Sequence, residues 1–345
     1  MARALSAPSN LPSLVRTTFA KALAGGDLHY FPTKVTILPV NSVPFQLRFS
    51  PALANKPKPP QDASSTTPRK PLDPFANPPP ALYIADVGPS HYLVLNKFAV
   101  VPEHFILATR DFKEQTHLLE EPDLDATLAC IRAFEETRDK GDESDGLFAF
   151  FNCGEHSGAS QPHRHIQLLP VDRMRDGLES GPLWNVLADR EDLADTPFVV
   201  FSEPVAPAMS GAEIHGVYLR LYGQACRAVG ERTGTRAEEV LAAGPTQISY
   251  NMAMTRNRLV ICPRLSEGGV VCGRDGRDVG RVALNGTLLA GTALVKNEAE
   301  WDALRENPDA LVAVLKGIGL SREGTCRRGE CEEAVDPKSN ITTRG

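Results

Sequence analysis

Residues 151–170 read FNCGEHSGASQPHRHIQLLP, and the second half of this stretch alternates with period two. On a β-strand, residues i, i+2 and i+4 share a face. His163, His165 and Gln167 would then stand in a row, with neighbouring side chains roughly 7 Å apart along the strand. Arg164, Ile166 and Leu168 would point the other way, toward a mostly apolar interior. Just upstream, Ser157-Gly158-Ala159-Ser160 is a run of small residues whose N–H groups and hydroxyls can close on an anion. A phosphate cradle leading into paired imidazoles is a constellation for phosphorus chemistry.

The rest of the composition sets limits on that reading. The chain has 345 residues, enough for one large domain or two modest ones. It contains no apolar run long enough for a membrane span. Lys and Arg total 37 against 43 Asp and Glu, a net charge of −6. That balance argues against a general nucleic-acid surface, so a polyanionic substrate must be held by a local pocket. The seven cysteines are irregularly spaced and form no C-x-x-C pair, which supports neither a zinc knuckle nor a disulfide framework. A reducing, cytoplasmic setting extending to the nucleus is the expectation. The basic, amphipathic first 25 residues make a mitochondrial presequence the alternative.

Taken in order, Leu11, Leu14, Val15 and Phe19 fall at helical spacing, with Pro12 at a helix start and Gly25-Gly26 as its stop. Strand-like runs follow from Lys34 to Phe49. Residues 51–80 hold ten of the chain's 28 prolines and read as a flexible surface insertion. Tyr92–Leu95 and Phe105–Leu107 look like a hairpin. Residues 122–138 carry a helical apolar face through Leu124, Leu128, Ile131 and Phe134. Leu147–Phe151 is almost wholly apolar, the mark of a strand buried on both faces. Beyond an irregular stretch, Phe198–Phe201 reads as a strand and 211–229 as a helix with Ile214, Val217, Tyr218 and Leu221 inward. Ile248–Met254 and Leu259–Cys262 read as a further hairpin. Residues 283–295 end in a strand-like tail, and 321–345 read as a disordered tail.

The histidines admit three chemistries: metal ligands, a structural pair, or a nucleophile and its neighbour. Metal binding needs further ligands, and the nearby Cys153 and His156 lie before the loop. A nucleophilic imidazole can attack an α-phosphorus to give a phosphoramidate, splitting one difficult displacement into two. Its other ring nitrogen needs an acceptor to fix the tautomer, and backbone carbonyls of the small-residue segment could supply it. Gln167 can hydrogen-bond a phosphate oxygen but cannot shuttle a proton.

The run Ser157-Gly158-Ala159-Ser160-Gln161-x-His-x-His-x-Gln closely resembles the histidine-triad superfamily, in its diadenosine tetraphosphate phosphorylase (ATP adenylyltransferase) branch. Leu95–His104 resembles that family's hairpin, and Tyr250–Arg256 its C-terminal region. The resemblance covers most of residues 10–320. It implies an α+β fold: a histidine-triad-like antiparallel sheet with packed helices and the His strand central, in a domain over 1–175. A C-terminal α+β region over 196–320 would complete the site. It also implies phosphorolysis of diadenosine tetraphosphate to ATP and ADP through an AMP adduct on His165. His163 would support the nucleophile and Gln167 would contact the α-phosphate. Lys56, Asn96, Lys97, Asn152, Ser157, Gly158, Ala159, Ser160, Gln161, Asn285, Gly286, Thr287, Thr292 and Lys296 fall at substrate-binding positions. The expected partners are dinucleoside polyphosphates, ATP, ADP and phosphate, with no nucleic acid and no membrane, acting on a monomer. Mg or Mn is expected only as the nucleotide's counter-ion, with no tightly bound protein metal. A hexose-1-phosphate uridylyltransferase-like enzyme and a non-catalytic nucleotide-binding module are the competing readings. Histidine-triad hydrolases carry a third histidine where Gln167 stands.

Overall fold

The computed structural model describes residues 5–55, 73–136, 146–178, 184–235, 239 and 241–322. The first half runs α1 (Leu11–Gly25), β1 (His29–Tyr30), β2 (Lys34–Val40), β3 (Val43–Phe49), β4 (Tyr83–Val87), β5 (His91–Leu95), β6 (Phe98–Ala99), β7 (Phe105–Thr109) and α2 (Glu121–Glu136). It continues with β8 (Leu147–Cys153), β9 (His165–Pro170), β10 (Phe201–Pro204), α3 (Gly211–Thr233), β11 (Ser249–Met254) and β12 (Arg258–Arg264). Last come β13 (Gly268–Cys272), β14 (Asp278–Ala283), β15 (Thr292–Val295), α4 (Glu298–Glu306) and α5 (Asp309–Gly317).

Strand β8 explains the layering. Its odd-numbered residues Leu147, Ala149, Phe151 and Cys153 enter one core, while Phe148 and Phe150 enter a second core on the other face. A strand that is apolar on both faces must be covered on both. Helices α1, α2 and α3 cover the first face with Leu11, Val15, Leu124, Leu128, Ile214 and Leu221. The second face is covered by β3, the β14–β15 region, α4 and α5, through Phe45, Leu47, Leu288, Leu304 and Leu311. The eight-stranded sheet between them has the order β10-β12-β11-β8-β9-β7-β5-β4, and all its pairings are antiparallel. The His strand β9 is therefore interior, as expected.

The two halves of the chain share this sheet: β11 pairs with β8, Asn251 opposite Asn152. A second link joins β15 in parallel to β3, with Val295 opposite Phe49. Trp301 of α4 stacks on Phe49 at 5.5 Å between ring centroids.

Helix ends follow local chemistry. Gly26 closes α1 at φ 75°, its N–H reaching the carbonyls of Ala22 and Leu23. Ser210 and Glu213 cap α3 reciprocally. Among the described residues no helix is long and apolar enough to cross a membrane.

Several expectations change. The strand expected over Phe198–Phe201 lies at Phe201–Pro204, and Phe198 makes only an isolated bridge to Ser321. The β13–β14 hairpin and helices α4 and α5 were not signalled by the sequence. The insertion expected to be flexible over 51–80 is ordered at both ends. Residues Pro51–Asn55 form a 3-10 turn, and Phe75 is buried with its carbonyl accepting from the Tyr92 hydroxyl at 2.6 Å. A buried aromatic in a proline-rich run supplies the apolar area that composition alone hides. The centre of the insertion, Lys56 within it, and the tail from 323 lie outside the described residues.

Candidate active site

The His strand is anchored from behind. Arg164 is buried on the helix side, where one guanidinium nitrogen donates to Glu120 Oε1 at 2.8 Å and Asp123 Oδ2 at 2.9 Å. His91 meets the other Asp123 oxygen at 2.8 Å. Burial alone would raise the Asp123 carboxyl, but the His91 hydrogen bond and the Arg164 charge outweigh it and hold it below the usual range. Ile166 and Leu168 enter the core on the helix side, so the strand is two-faced, but it begins only at His165: the expected start at His163 is replaced by an isolated bridge of His163 to Glu114.

On the working face, His165 Nδ1 sits 2.8 Å from the carbonyl of His163. A carbonyl only accepts, so Nδ1 carries the proton and Nε2 keeps its lone pair. The acceptor is thus the neighbouring histidine's own peptide, not the small-residue segment. Burial pushes His165 down to about 4; the hydrogen bond to His163 opposes this and the charge of the His163 ring adds to it. The ring is neutral and nucleophilic at physiological pH. Gln115, itself buried, splices the backbone here. Its Oε1 accepts from His165 N at 2.8 Å and its Nε2 donates to the carbonyl of Asn152 at 2.8 Å, filling a gap where β8 and β9 part.

His163 is more enclosed. Its Nδ1 lies 2.7 Å from Asp73 Oδ2, and its Nε2 lies 2.8 Å from the Thr109 carbonyl and 3.0 Å from the Thr109 hydroxyl. The Phe75 ring packs edge-on to His163 at 5.6 Å and tilted over His165 at 4.9 Å. Phe112 meets His163 from another side at 5.4 Å.

Ser157 and Gly158 lie close against the C-terminal region. A Cβ on Gly158, whose φ is 78°, would sit 2.8 Å from Asn285 Cβ. A Cβ on Gly286 would lie 2.6 Å from Phe150 Cδ2 and 2.9 Å from Asn152 Oδ1. Both glycines permit this seam. Asn152 staples it: its Oδ1 accepts from Gly286 N at 2.8 Å and from Asn251 Nδ2 at 2.9 Å. Asn251 also donates to the Ser157 carbonyl at 2.9 Å and accepts from Arg264. Buried Arg264 donates further to the carbonyls of Ser266, Glu267 and Leu284, placing a cation under the cradle of a chain that is acidic overall. The Ser157 hydroxyl is used within its own turn, donating to the Gly154 carbonyl at 2.7 Å and accepting from Ala159 N at 3.3 Å. Ala159 and Ser160 are exposed and Gln161 is half-buried at the open side. Asn285 caps the next turn, accepting from Thr287 N at 3.0 Å and Thr287 Oγ1 at 2.8 Å.

Asn96 reaches the site through His104. Its Oδ1 accepts from Phe98 N at 3.0 Å, so its amide nitrogen is the group that meets His104 Nδ1, also at 3.0 Å. That donor leaves the His104 proton on Nε2, a buried nitrogen whose neighbour is the Gln167 side chain. Burial pushes His104 down to about 4; the Gln167 amide beside it opposes this shift and His165 adds to it.

The structure thus gathers His163, His165, Gln167, Asn152, residues 157–161, Asn285–Thr287 and Asn96. It does not bring in every expected residue. Lys97 is exposed, Lys296 is exposed just past β15, and Thr292 is buried against Gln46 at 3.3 Å within the β15–β3 pair. Asp73, Phe75, Gln115, His104 and Arg264 carry no role in the sequence reading. Only His104 had a signal, its place in the quoted hairpin motif. Among the described residues no three His, Cys, Asp or Glu side chains group as metal donors.

Fold and site together define a histidine-triad-like α+β protein with a His-x-His-x-Gln site completed by its C-terminal half. Residues 1–189 match the family model of the Ap4A phosphorylase N-terminal domain, and 194–321 that of the ATP adenylyltransferase C-terminal domain. The chain belongs to the Ap4A phosphorylase family of nucleotidyltransferases. It is similar to diadenosine 5',5'''-P1,P4-tetraphosphate phosphorylase 2 of Saccharomyces cerevisiae, 27% identical over 90% of this chain and 95% of that protein. Protein APA1 of the same yeast is 28% identical over 92% of this chain and 96% of its own length. The crystal structure of yeast Ap4A phosphorylase Apa2 in complex with Ap4A superposes with a TM-score of 0.69 at 25% identity, covering 91% of this chain and 99% of that one.

Proposed function

We propose that this protein cleaves diadenosine tetraphosphate with inorganic phosphate, giving ATP and ADP, by carrying AMP on His165. The observation that carries the reading is the His165 ring: neutral, protonated on Nδ1 toward the His163 carbonyl, with Nε2 making no hydrogen bond among the described residues. Nε2 attacks an α-phosphorus, the N–P bond forms, and the bond to the bridging oxygen breaks with its electrons leaving on ATP. No proton has to leave the ring, because Nδ1–H stays on the carbonyl. A phosphate oxygen then attacks the same phosphorus, the P–N bond breaks, ADP forms, and Nε2 regains its lone pair.

The developing charge has donors in reach. The exposed Ala159–Ser160 backbone and the Gln167 amide are proposed as its donors, with Arg264 behind the cradle. Gln167 hydrogen-bonds without accepting protons, so it gives water no general base. Lys56, Lys97 and Lys296 are proposed as outlying contacts to the long polyphosphate, while buried Thr292 keeps only a structural bond to Gln46. A divalent cation enters as that polyphosphate's counter-ion, as part of the substrate. All these residues come from one chain, and we propose that the monomer acts, in the cytoplasm.

The test is turnover without phosphate on labelled substrate. One burst of ATP equal to the enzyme concentration is expected, with acid-labile, base-stable label on His165. His165→Ala should lower turnover at least about a thousandfold. Steady AMP release rivalling phosphorolysis, or near-normal turnover by the variant, overturns the reading.

A further inference from the structure

Among the described residues at the end of the proline-rich insertion, Asp73 touches His163 and Phe75 touches both histidines. Asp73 accepts from Phe75 N at 2.9 Å with one carboxylate oxygen, a turn that presents the other oxygen to His163 Nδ1 at 2.7 Å. The following ring, Phe75, is 6% exposed and pinned through its carbonyl by the Tyr92 hydroxyl, so its place over the imidazoles is set by the body of the fold. We propose that Asp73 and Phe75 are working parts of the active site: Asp73 positions His163, and through the His163 peptide the nucleophile, while Phe75 keeps water off the His165 ring.

The physical chain has two links. The first is the carboxylate holding the His163 ring, whose Nε2 is held at the other end by Thr109. With both ends fixed, the His163 side chain anchors its own backbone, which Arg164 N on the Lys113 carbonyl at 2.7 Å also holds, so the His163 carbonyl keeps its direction. The second is that carbonyl on His165 Nδ1, which selects the tautomer able to attack. Phe75 acts on a different quantity. An apolar ring 4.9 Å from the His165 centroid leaves no space for water on that face. Keeping that face dry maintains the burial that holds the His165 ring neutral.

This inference rests on His165 as the carrier of AMP, and its test separates the two. Long-range proton–nitrogen spectra of the histidine rings are recorded on the substrate-free full chain, alongside kcat, KM and the pH profile of the ATP burst. Asp73→Ala should release the fixed ring pattern of His163, let His165 sample both tautomers, and lower kcat about 10- to 100-fold with KM within about threefold. Asp73→Asn still offers an acceptor oxygen, so it should lie between; it also keeps the test alive where the alanine variant folds poorly. Phe75→Ala should move the pH limb of the ATP burst up from about 4 toward 6.5, and Phe75→Leu should restore the native limb. Unchanged ring spectra with turnover within twofold in both Asp73 variants overturn the positioning role. An unchanged pH limb in Phe75→Ala overturns the water-excluding role. If His165→Ala itself turns over normally, the underlying function fails instead, while the spectra still report on Asp73.

Discussion

His165 owes its neutral, Nδ1-protonated ring to burial and to the His163 carbonyl 2.8 Å from Nδ1. The H-x-H-x-Q spacing exposes a row of polar side chains to inspection, because period two is a local property. The acceptor for Nδ1, the depression by burial and the Phe75 cover are products of tertiary packing, and no local pattern encodes them. The depressed His165 and His104 rings make two predictions. The adenylylation rate, followed as the ATP burst, should stay flat through pH 6.5 and fall only toward about 4, where His165 protonates. A limb near 6.5 would mean that the nucleophile is not buried as described. Stability follows the same window. Between about 4 and 6.5 the unfolded chain binds protons that the folded His104 and His165 refuse, so stability is full above 6.5 and falls as pH drops toward 4. Asp123 adds a further loss only lower, below the normal carboxylate pKa, as its depressed carboxyl protonates. His104→Gln should flatten part of the slope of Tm against pH between 6.5 and 4. An unchanged slope would show that His104 titrates normally.

Among the elements, those with strong periodicity or a clear stop were legible: α1 with its Gly26 stop, α3 with its apolar face through Ile214 and Leu221, and the doubly apolar β8. The parallel partner of β15 was not, since Thr292 and Gln46 are 246 residues apart and a four-residue strand carries no address for its neighbour. The insertion was misjudged at its return because ten prolines outweigh one Phe in any compositional reading. That error has an experimental consequence. Replacing 58–78 with a Gly/Ser linker removes Asp73 and Phe75, and should lower both turnover and thermal stability. A replacement confined to 58–72 keeps both residues and, on composition, should cost little. Equal behaviour of the two chains, followed by Tm and kcat, would remove the return segment from the list of structural elements.

For the whole molecule, the question is whether two family segments are two physical units. Segment 1–189 contains β8 and β3, whose edges are completed by β11 and β15 from the second segment. The second core is mixed in origin: Phe45, Leu47, Phe148 and Phe150 come from the first segment, Ala253, Leu288, Leu311 and Leu315 from the second. Separating them would expose two strand edges and one face of the central sheet to water, conditions that favour aggregation. The site has the same dual parentage, since the Asn152–Gly286 and Asn251–Ser157 bonds cross the seam. Folding of the cradle is therefore coupled to docking of the C-terminal strands. The expected outcome is one calorimetric transition for the full chain, with van 't Hoff and calorimetric enthalpies equal. Fragment 1–189 made alone should be insoluble or lack a cooperative transition, and co-expression with 194–321 should recover soluble protein and turnover. Two resolved transitions, or a soluble, cooperatively folded 1–189 fragment, would mean that the shared sheet is a docked interface between independent domains.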